Sequence, residues 1–414
     1  MTSERSSRES TLQRPLDSFE EHFWLLERLA PRGHLLAVRL KGSTSEESWR
    51  AAFQEVQRCH PMLRVSIRKR TGERPYFYEV ADRPIPLTFY KWDDSTSLES
   101  FVESEMLKSF LGGTQALTRI SVFLGERHSA VVIGSHHAAL DGKDHITILR
   151  EVLEVLDGRP IKLRPNQLST STASLYSHKV LPYVGRSPLN DGDPLPEATY
   201  LIPPIKIVRH TVDKKLLASA LAACRSRKVS FHSALLVALA RAGFRLKDEW
   251  RRDGIRSLTP VDARSNLGLD RGVGMCMVLH RKVFLHGTPF WTDVEDLTCS
   301  LKPSEVPQIA ETLFALADQF VEEEHSPMSH LTRIGGTPFI HDLMLTNYGS
   351  LDWNGSDRFH IEDMFTAGVA GHFDTQKVAA VTRNGNLTLT LVGQAPLKRF
   401  LETAVEELEM ALSE

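Results

Sequence analysis

The chain has 414 residues, of which 41% are apolar and 25% are charged, and its 50 Lys and Arg against 52 Asp and Glu give a net charge of −2. This composition excludes a disordered chain, and it lacks the basic excess that nucleic-acid binders usually carry. A chain of this length corresponds to two or three domains. It can bury a core large enough to be stable without a disulfide or a structural metal ion.

The N-terminal residues 1–14 are rich in Ser, Glu and Arg and contain no apolar stretch, which predicts a disordered tail and no secretory signal. The densest apolar run, residues 234–240, is far shorter than the roughly eighteen residues that cross a bilayer. Four cysteines lie far apart without a CxxC pair, which favours buried thiols in a reducing compartment. We therefore expect a soluble, cytoplasmic protein without a membrane span.

Residues 15–160 form a first block in which helices and strands are mixed. Helical spacing of apolar side chains predicts helices, and alternation of apolar and polar side chains predicts strands. The predicted helices cover residues 19–29, 45–60, 97–111 and 142–156. The predicted strands cover residues 35–40, 65–80, 85–92, 117–124 and 129–134.

Residues 161–204 are rich in Ser, Asn, Asp, Gly and Pro, which predicts a linker that crosses the surface. Residues 205–414 then form a second mixed block. Its predicted helices cover residues 214–225, 230–246, 304–324 and 396–412. Its predicted strands cover residues 205–212, 256–261 and 275–284, a segment before Asn347, and the pair 378–383 and 387–392. Asn384-Gly385 predicts a tight hairpin turn between the last two strands.

Two adjacent histidines, His136 and His137, follow an apolar strand and begin a segment that ends with Asp141 and Gly142 at the start of a helix. Histidine is the side chain best suited to move protons near neutral pH, and a strand end holds it rigidly enough to act as a base. Asp141 can orient the loop, and Gly142 leaves room for a ligand to pass close to the backbone.

Two other interpretations of this segment stay open. His136, His137 and Asp141 could supply three ligands to a metal ion. Neighbouring residues of a strand point to opposite faces, however, so the two histidines are poorly placed to share one ion, and we expect no metal. Alternatively, the two histidines only cap a loop and have a structural role.

The HHxxxDG segment resembles the signature of the chloramphenicol acetyltransferase-like superfamily. That group includes nonribosomal peptide condensation domains, plant BAHD acyltransferases and mycobacterial polyketide-associated acyltransferases. Further segments resemble motifs of the family in the expected order, and they are residues 15–20, 229–235, 259–264, 272–275 with Leu279, and 345–349. The DFGWG motif of the plant branch is absent, which favours the condensation and bacterial acyltransferase branches. No carrier or adenylation domain is recognised, so a free-standing enzyme is expected.

The resemblance implies an α/β fold, an α+β sandwich of two lobes that form a V with an active-site tunnel between them. It places the first lobe at residues 15–160 and the second at residues 205–414. His137 would be the general base, and His136 would be structural. Asp141 would point away from the substrate and pair with Arg264, and Gly142 would line the channel for a pantetheine arm.

The segment 345–349 holds the remaining candidates implied by the resemblance. Thr346 or Asn347 would donate a hydrogen bond to the developing oxyanion, and Tyr348 and Gly349 are further candidates for substrate binding. Candidates for an acceptor pocket are Asp352, Trp353, His372 and Phe373 together with Tyr348, and packing in the core or in loops is the alternative role for these side chains.

The resemblance implies an acyltransferase that moves an acyl group from a thioester to a hydroxyl group. The donor would be acyl-CoA or a phosphopantetheine-linked acyl group on an acyl or peptidyl carrier protein, with no bound cofactor. The acceptor would be a small alcohol, or an amine if the enzyme forms an amide as condensation domains do. An inactive lobe that only recruits carrier proteins is the alternative of another class. We expect a monomer and no nucleic-acid partner.

Overall fold

The computed structural model describes residues 13–27, 31, 33–70, 73–80, 83–93, 95–111, 116–177, 204–269, 274–322, 340–351, 353–368 and 375–413. In these residues the strands β1 to β14 cover Gln13–Pro15, Gly33–Lys41, Val65–Arg68, Tyr76–Glu79, Leu87–Lys91, Thr118–Leu124, His128–His136, Lys206–Val212, Ile255–Asp262, Met277–Phe284, Leu343–Ser350, His360–Gly368, Gln376–Arg383 and Asn386–Gly393. The helices α1 to α11 cover Ser18–Glu27, Glu46–Cys59, Leu98–Glu105, Gly142–Leu156, Thr172–Leu175, Lys214–Arg227, Phe231–Leu246, Asp248–Asp253, Phe290–Ser300, Val306–Glu322 and Phe400–Ser413.

The described strands form two large sheets and one small sheet. The order β12-β2-β7-β6-β5 makes a five-stranded sheet, in which only β5 and β6 run parallel. The order β10-β9-β11-β13-β14-β8 makes a six-stranded sheet, in which β11 runs parallel to both of its neighbours. The third sheet has the order β1-β4-β3. The predicted α/β fold class is confirmed.

Each large sheet buries its own apolar core. In the first core, Trp49 of α2 and Leu149 of α4 are fully buried in one cluster with Leu36 of β2. In the second core, Leu236 of α7 clusters with Leu389 of β14. Burial of each such side chain stabilises the fold by about 1.5–3 kcal/mol. The first core also contains Phe359 and Ile361 from the second half of the chain.

One strand of the second half lies in the sheet of the first half. Strand β12 pairs with β2 along its length, with Phe365 opposite Ala37 and Gly368 opposite His34. Residues 360–368 were placed in the predicted second lobe, 205–414, but their strand belongs to the sheet of the predicted first lobe, 15–160. For the rest of the chain, the division into these two lobes stays a prediction.

Residues 1–12 of the predicted tail and residues 178–203 of the predicted linker lie outside the described residues. Gln13 and Arg14, by contrast, belong to strand β1 and pair with β4, so the ordered chain begins earlier than the predicted tail allows.

Two local predictions, the start of the helix at Gly142 and the hairpin turn at Asn384-Gly385, are confirmed, and cap and turn chemistry explains them. Helix α4 begins at Gly142 because Asp141 caps it, accepting hydrogen bonds from Lys143 N at 3.0 Å and Asp144 N at 3.3 Å. The hairpin of β13 and β14 turns at Asn384 and Gly385, whose φ angles of 52° and 73° suit a two-residue hairpin turn.

Helix α3 is shorter than predicted, ending at Glu105 rather than at residue 111. The guanidinium of Arg119 donates to the carbonyl oxygens of Glu105, Lys108 and Ser109 at 2.8, 2.9 and 3.1 Å. These bonds satisfy carbonyl groups at the end of the helix, so the chain turns without extending it. The predicted elements do not include helices α5, α8 and α9 or strands β1 and β12.

No single helix in the described ranges has the length and apolar character to cross a membrane. Helices α6 and α7 meet that test only when taken together, across a bend of 114°.

Candidate active site

The HHxxxDG segment links the central sheet to the start of α4. His136 is the last residue of β7 and is fully buried. Its Nδ1 accepts a hydrogen bond from Ala138 N at 3.0 Å, and burial lowers its pKa to about 3. His136 does not line the large cavity described next, and its ring holds the turn after the strand.

A cavity with about 1200 Å³ of empty space, including its opening to solvent, is walled by residues from both halves of the chain. His137 and Gly142 lie in its wall, whereas Asp141 and Arg264 do not. The described polar side chains of the wall are His22, His34, His137, His341, Thr346, Tyr348, Thr366 and Lys377. Four residues of the predicted site therefore line one cavity, and they are His137, Gly142, Thr346 and Tyr348.

His137 is held between two rings. Its imidazole stacks on Phe23 with ring centroids 4.6 Å apart, and the ring of His34 lies at 4.4 Å. Its Nδ1 is buried and has no hydrogen-bond partner among the described residues. Burial, followed by the nearby His34 and Lys377, lowers the pKa of His137 well below 6.5. The imidazole is therefore neutral at pH 7 and able to accept a proton.

Two further histidines extend the layer beneath His137. His34 stacks on His145 with ring centroids 4.2 Å apart, and His145 Nε2 lies 2.7 Å from Ser135 Oγ. Burial lowers the pKa of His34 to about 4 and that of His145 well below its usual range. Three neutral imidazoles thus lie side by side at this end of the cavity.

On its other side, the same loop is anchored by ion pairs. Asp141 Oδ2 accepts from Arg264 Nη1 at 2.7 Å and from Cys276 N at 3.0 Å. Asp144 Oδ1 accepts from Arg264 Nη2 at 2.8 Å, so one guanidinium bridges two carboxylates. The geometry predicted for Asp141 and Arg264 is present, and Asp144 adds a second carboxylate to it.

The backbone completes this network. Asp144 Oδ2 accepts from Asp141 N at 2.8 Å and from Gly274 N at 3.1 Å, and Arg264 Nη2 also donates to Gly274 O at 2.8 Å. Burial, and next the charge of Asp141, raise the pKa of Asp144, while Arg264 lowers it. Every carboxylate oxygen of Asp141 and Asp144 therefore accepts at least one hydrogen bond, and these bonds attach the loop to Arg264 and to the backbone of residues 274 and 276.

Gly142 packs against the aromatic ring of Tyr348. A Cβ atom at position 142 would lie 2.7 Å from both Cε1 and Cζ of that ring. Burial raises the pKa of Tyr348 to about 12, so the phenol stays protonated at neutral pH. The absence of a side chain at position 142 therefore makes room for Tyr348, besides any room it leaves for a pantetheine arm.

Strand β11 separates the candidates of segment 345–349. Thr346 and Tyr348 line the cavity, as expected for residues two apart on a strand. Asn347 does not line it, and its Oδ1 accepts a hydrogen bond from Gly349 N at 2.9 Å. Gly349 has a φ of 72° and also lies off the cavity wall. Of the two oxyanion candidates, only Thr346 is in the wall.

The predicted acceptor pocket is largely untested. Asp352, His372 and Phe373 lie outside the described residues. Trp353 is described but is not in the cavity wall, and the guanidinium of Arg150 lies 5.1 Å from the centre of its ring. Trp353 therefore packs on the first core rather than on a substrate in this cavity.

The comparisons with known proteins rest on structure. No protein-family model matches the chain, and no curated protein matches it in sequence. The structure of polyketide synthase associated protein 5 from Mycobacterium tuberculosis is 18% identical, with a TM-score of 0.64 over 97% of this chain and 98% of that chain. The condensation domain of the Monacolin K polyketide synthase MokA is 13% identical, with a TM-score of 0.68 over 98% and 99%.

The TRI3 trichothecene 15-O-acetyltransferase from Fusarium sporotrichioides matches in the same way, at 12% identity and a TM-score of 0.64 over 97% and 95% of the two chains. The chain has the condensation-domain fold. The predicted chloramphenicol acetyltransferase-like, two-lobed architecture is thereby confirmed at the level of the fold.

Within this condensation-domain fold, sequence reasoning missed His34, His145, Asp144 and Lys377. A signal existed for two of them. His34 lies one residue before the predicted strand 35–40, and alternation along the strand puts its side chain on the same buried face as that of Leu36. Asp144 is the third residue of helix α4, the position whose side chain completes a capping box. Lys377 carried no such signal, because only the meeting of distant strands places it in the cavity.

Proposed function

We propose that the protein transfers an acyl group from a CoA or carrier-protein thioester to the hydroxyl group of a small acceptor, forming an ester. The observation that carries the proposal is the position of His137, a neutral imidazole in the wall of a cavity that both halves of the chain build. One solved structure of this fold is named as an O-acetyltransferase, which supports a hydroxyl acceptor.

In the proposed reaction, His137 takes the proton of the acceptor hydroxyl while the oxygen bonds to the thioester carbonyl carbon. The carbonyl electrons move to its oxygen and give a tetrahedral oxyanion. The carbonyl then re-forms, the carbon–sulfur bond breaks, and the leaving thiolate takes the proton from His137. Ester and free thiol leave, and the imidazole is neutral again, so no covalent acyl-enzyme is required.

The other site residues hold the geometry for this step. The ion pair of Asp141 with Arg264 fixes the loop that carries His137, and neither side chain faces the cavity. We assign the hydroxyl of Thr346 as hydrogen-bond donor to the oxyanion because it shares the cavity wall with His137. In well-studied enzymes one such donor contributes roughly 3–4 kcal/mol to the stability of the transition state.

Product analysis tests the function directly. Purified protein is offered a panel of acyl-CoAs and acyl-loaded carrier proteins with alcohols and amines, and products are identified by mass spectrometry. Esters are expected, and the variant His137→Ala should lose about 10²–10⁴-fold in rate. The matched control is His128→Ala, at the opposite end of β7 with its side chain 43% exposed, which should keep the wild-type rate.

The outcomes separate the parts of the proposal. Near-full transfer by His137→Ala would show that another group is the base. If amides were the only products, the acceptor would be an amine and the proposed hydroxyl acceptor would be wrong. Absence of transfer with every donor and acceptor would favour a binding role without catalysis.

A further inference from the structure

A second cavity lies on the second half of the chain, between helix α10 and strand β10 at the edge of the described six-stranded sheet. We call it the α10 groove, and its described wall consists of residue 258, residues 279–281 and side chains within residues 308–316. It holds about 650 Å³ of empty space, including its opening to solvent. Small-molecule sites in proteins usually have volumes of about 300–1,000 Å³, so the groove is large enough for a ligand.

The wall of the α10 groove is largely aliphatic. Five described Leu and Ile side chains belong to it, two from the sheet and three from the helix, and they are Leu258, Leu279, Ile309, Leu313 and Leu316. The helical positions recur every three or four residues, so they lie on one face of α10. Leu279 and Ile309 are only partly buried, although both pack on the buried cluster that contains Leu313. Apolar surface therefore remains available in the groove for an aliphatic ligand.

The α10 groove adjoins the cavity that contains His137. Leu258 and Leu279 line both of them. On β10, Met277 lines the cavity of His137, Leu279 lines both spaces, and Arg281 lines the groove alone. Residues two apart on a strand share a face of the sheet. One face of the sheet therefore leads from the proposed active site into the groove.

The same face carries the proposed oxyanion donor, Thr346. Met344 lies two residues before Thr346 on β11, about 7 Å along the strand, and both line the cavity of His137. Met344 is the register partner of Leu258 on β9, one strand spacing of about 4.8 Å away. An extended aliphatic chain advances by about 1.25 Å per carbon atom, so roughly seven carbons would lead from a carbonyl group at Thr346 to Leu258.

We propose that the α10 groove binds the far end of the acyl chain during acyl transfer. The inference rests on the proposed function and adds a substrate class to it, unbranched aliphatic acyl groups of about eight or more carbon atoms. In the proposed reaction the acceptor oxygen approaches His137, which comes from the first half of the chain. The carbonyl oxygen faces Thr346 instead, so the acyl chain starts on the sheet that leads to the groove.

Binding of a chain-length series tests this inference. Butanoyl-, octanoyl- and dodecanoyl-phosphopantetheine carry the arm that CoA and carrier proteins share, and calorimetry measures their affinity for the full-length protein. The butanoyl chain is too short to reach Leu258. Each methylene of the longer chains that enters the groove should lower the dissociation constant about fourfold, which corresponds to about 0.8 kcal/mol.

Variants of α10 then assign the chain-length preference to the groove. Thr312 and Gln308 line the groove and are exposed, so Thr312→Trp and Gln308→Trp fill it without disturbing a core. Either variant should weaken binding of the dodecanoyl ligand about 10- to 100-fold, the worth of two or three methylenes, and leave the butanoyl ligand unchanged. The matched control is Glu311→Trp, at an exposed position of the same helix outside both cavity walls, which should bind like the wild type.

The binding readout separates this inference from the proposed function. Equal affinity of the wild type for the three ligands, binding of none of them, or a chain-length preference that survives both Trp variants overturns the role of the groove. If Thr312→Trp weakens binding of 1-dodecanol and not of the dodecanoyl thioester, the groove holds the acceptor and the acyl assignment is wrong. A preference that depends on the groove, in a protein that transfers no acyl group, would keep the site and overturn the acyl-transfer proposal.

Discussion

The loop between β7 and α4 has two sides with opposite electrostatics. On one side, Asp141 and Asp144 are 4% and 1% exposed, and Arg264 bridges them. On the other side, His137 and His34 lie ring against ring, and burial lowers the pKa of each. Only a few residues of the chain separate a region of paired charges from a region of neutral rings.

The difference shows how burial selects between two solutions. A buried carboxylate needs a cation and hydrogen bonds to compensate its burial, and Arg264 and the backbone supply them to Asp141 and Asp144. A buried imidazole avoids the cost by losing its proton, which leaves a ring nitrogen free to accept one, although the lowered pKa makes the ring a weaker base. The charged side of the loop therefore holds the loop in place, and the neutral side carries the proposed base, His137.

Removing the bridging cation should have the largest effect. In Arg264→Met, the carboxylates of Asp141 and Asp144 stay buried without their partner, and we expect a loss of about 3–5 kcal/mol in the free energy of unfolding. Acyl transfer should fall with stability, because the loop that carries His137 loses its anchor. Urea unfolding at pH 7 measures the first effect and the product assay the second.

A matched control and a rescue make this prediction specific. Arg252→Met removes an exposed arginine of α8 and should cost little. Adding Asp144→Asn to Arg264→Met should recover part of the loss, since one buried charge is removed. If Arg264→Met unfolds within about 1 kcal/mol of the wild type, the pair does not carry the stability that buried pairs usually do.

The charged side of the loop was easier to predict than the neutral side. Asp141 and Arg264 could be paired before the structure because a buried carboxylate needs a cation, and the resemblance indicated which one. The histidine layer follows instead from the register of β2 against β7, where His34 lies opposite Ser135. No local pattern in the sequence specifies that register between distant segments.

The fold shows the same division. Helix α4 and the hairpin at Asn384 follow from cap and turn chemistry within a few residues. Strand β12 does not, because its partner β2 lies more than 300 positions earlier in the chain and the pairing contains an irregularity between Ile361 and Asp363. Contacts of that range decide which strand ends meet, and hence which side chains, such as Lys377, line the cavity.

A histidine of the neutral side should make stability depend on pH. His34 has a folded pKa of about 4, below the unfolded value of about 6.5, so the unfolded chain binds the proton more readily between these values. Its contribution to stability is fully present above pH 6.5 and is lost as the pH falls towards 4. The loss should reach about 2 kcal/mol at pH 5.

Between pH 7 and pH 5, the free energy of unfolding of the variant His34→Met should therefore fall by about 2 kcal/mol less than that of the wild type. Urea unfolding at both pH values measures this difference. Leu36→Met, on the same strand, removes no titrating group and should follow the wild type. An equal loss in His34→Met and the wild type would mean that His34 is not held neutral by burial.

The smallest effect is expected at the exposed edge of the charged side. Lys143 Nζ lies 2.7 Å from Asp262 Oδ2, but its side chain is 49% exposed. Water already solvates this ammonium in both the folded and the unfolded chain, so Lys143→Met should change the free energy of unfolding by only about 0–1 kcal/mol. Salt should reduce even that difference, because exposed pairs are screened. If Lys143→Met lost as much free energy of unfolding as Arg264→Met, the stability of the network would depend on its total charge. A small loss would instead mean that the buried contacts of Arg264 with Asp141 and Asp144 provide that stability.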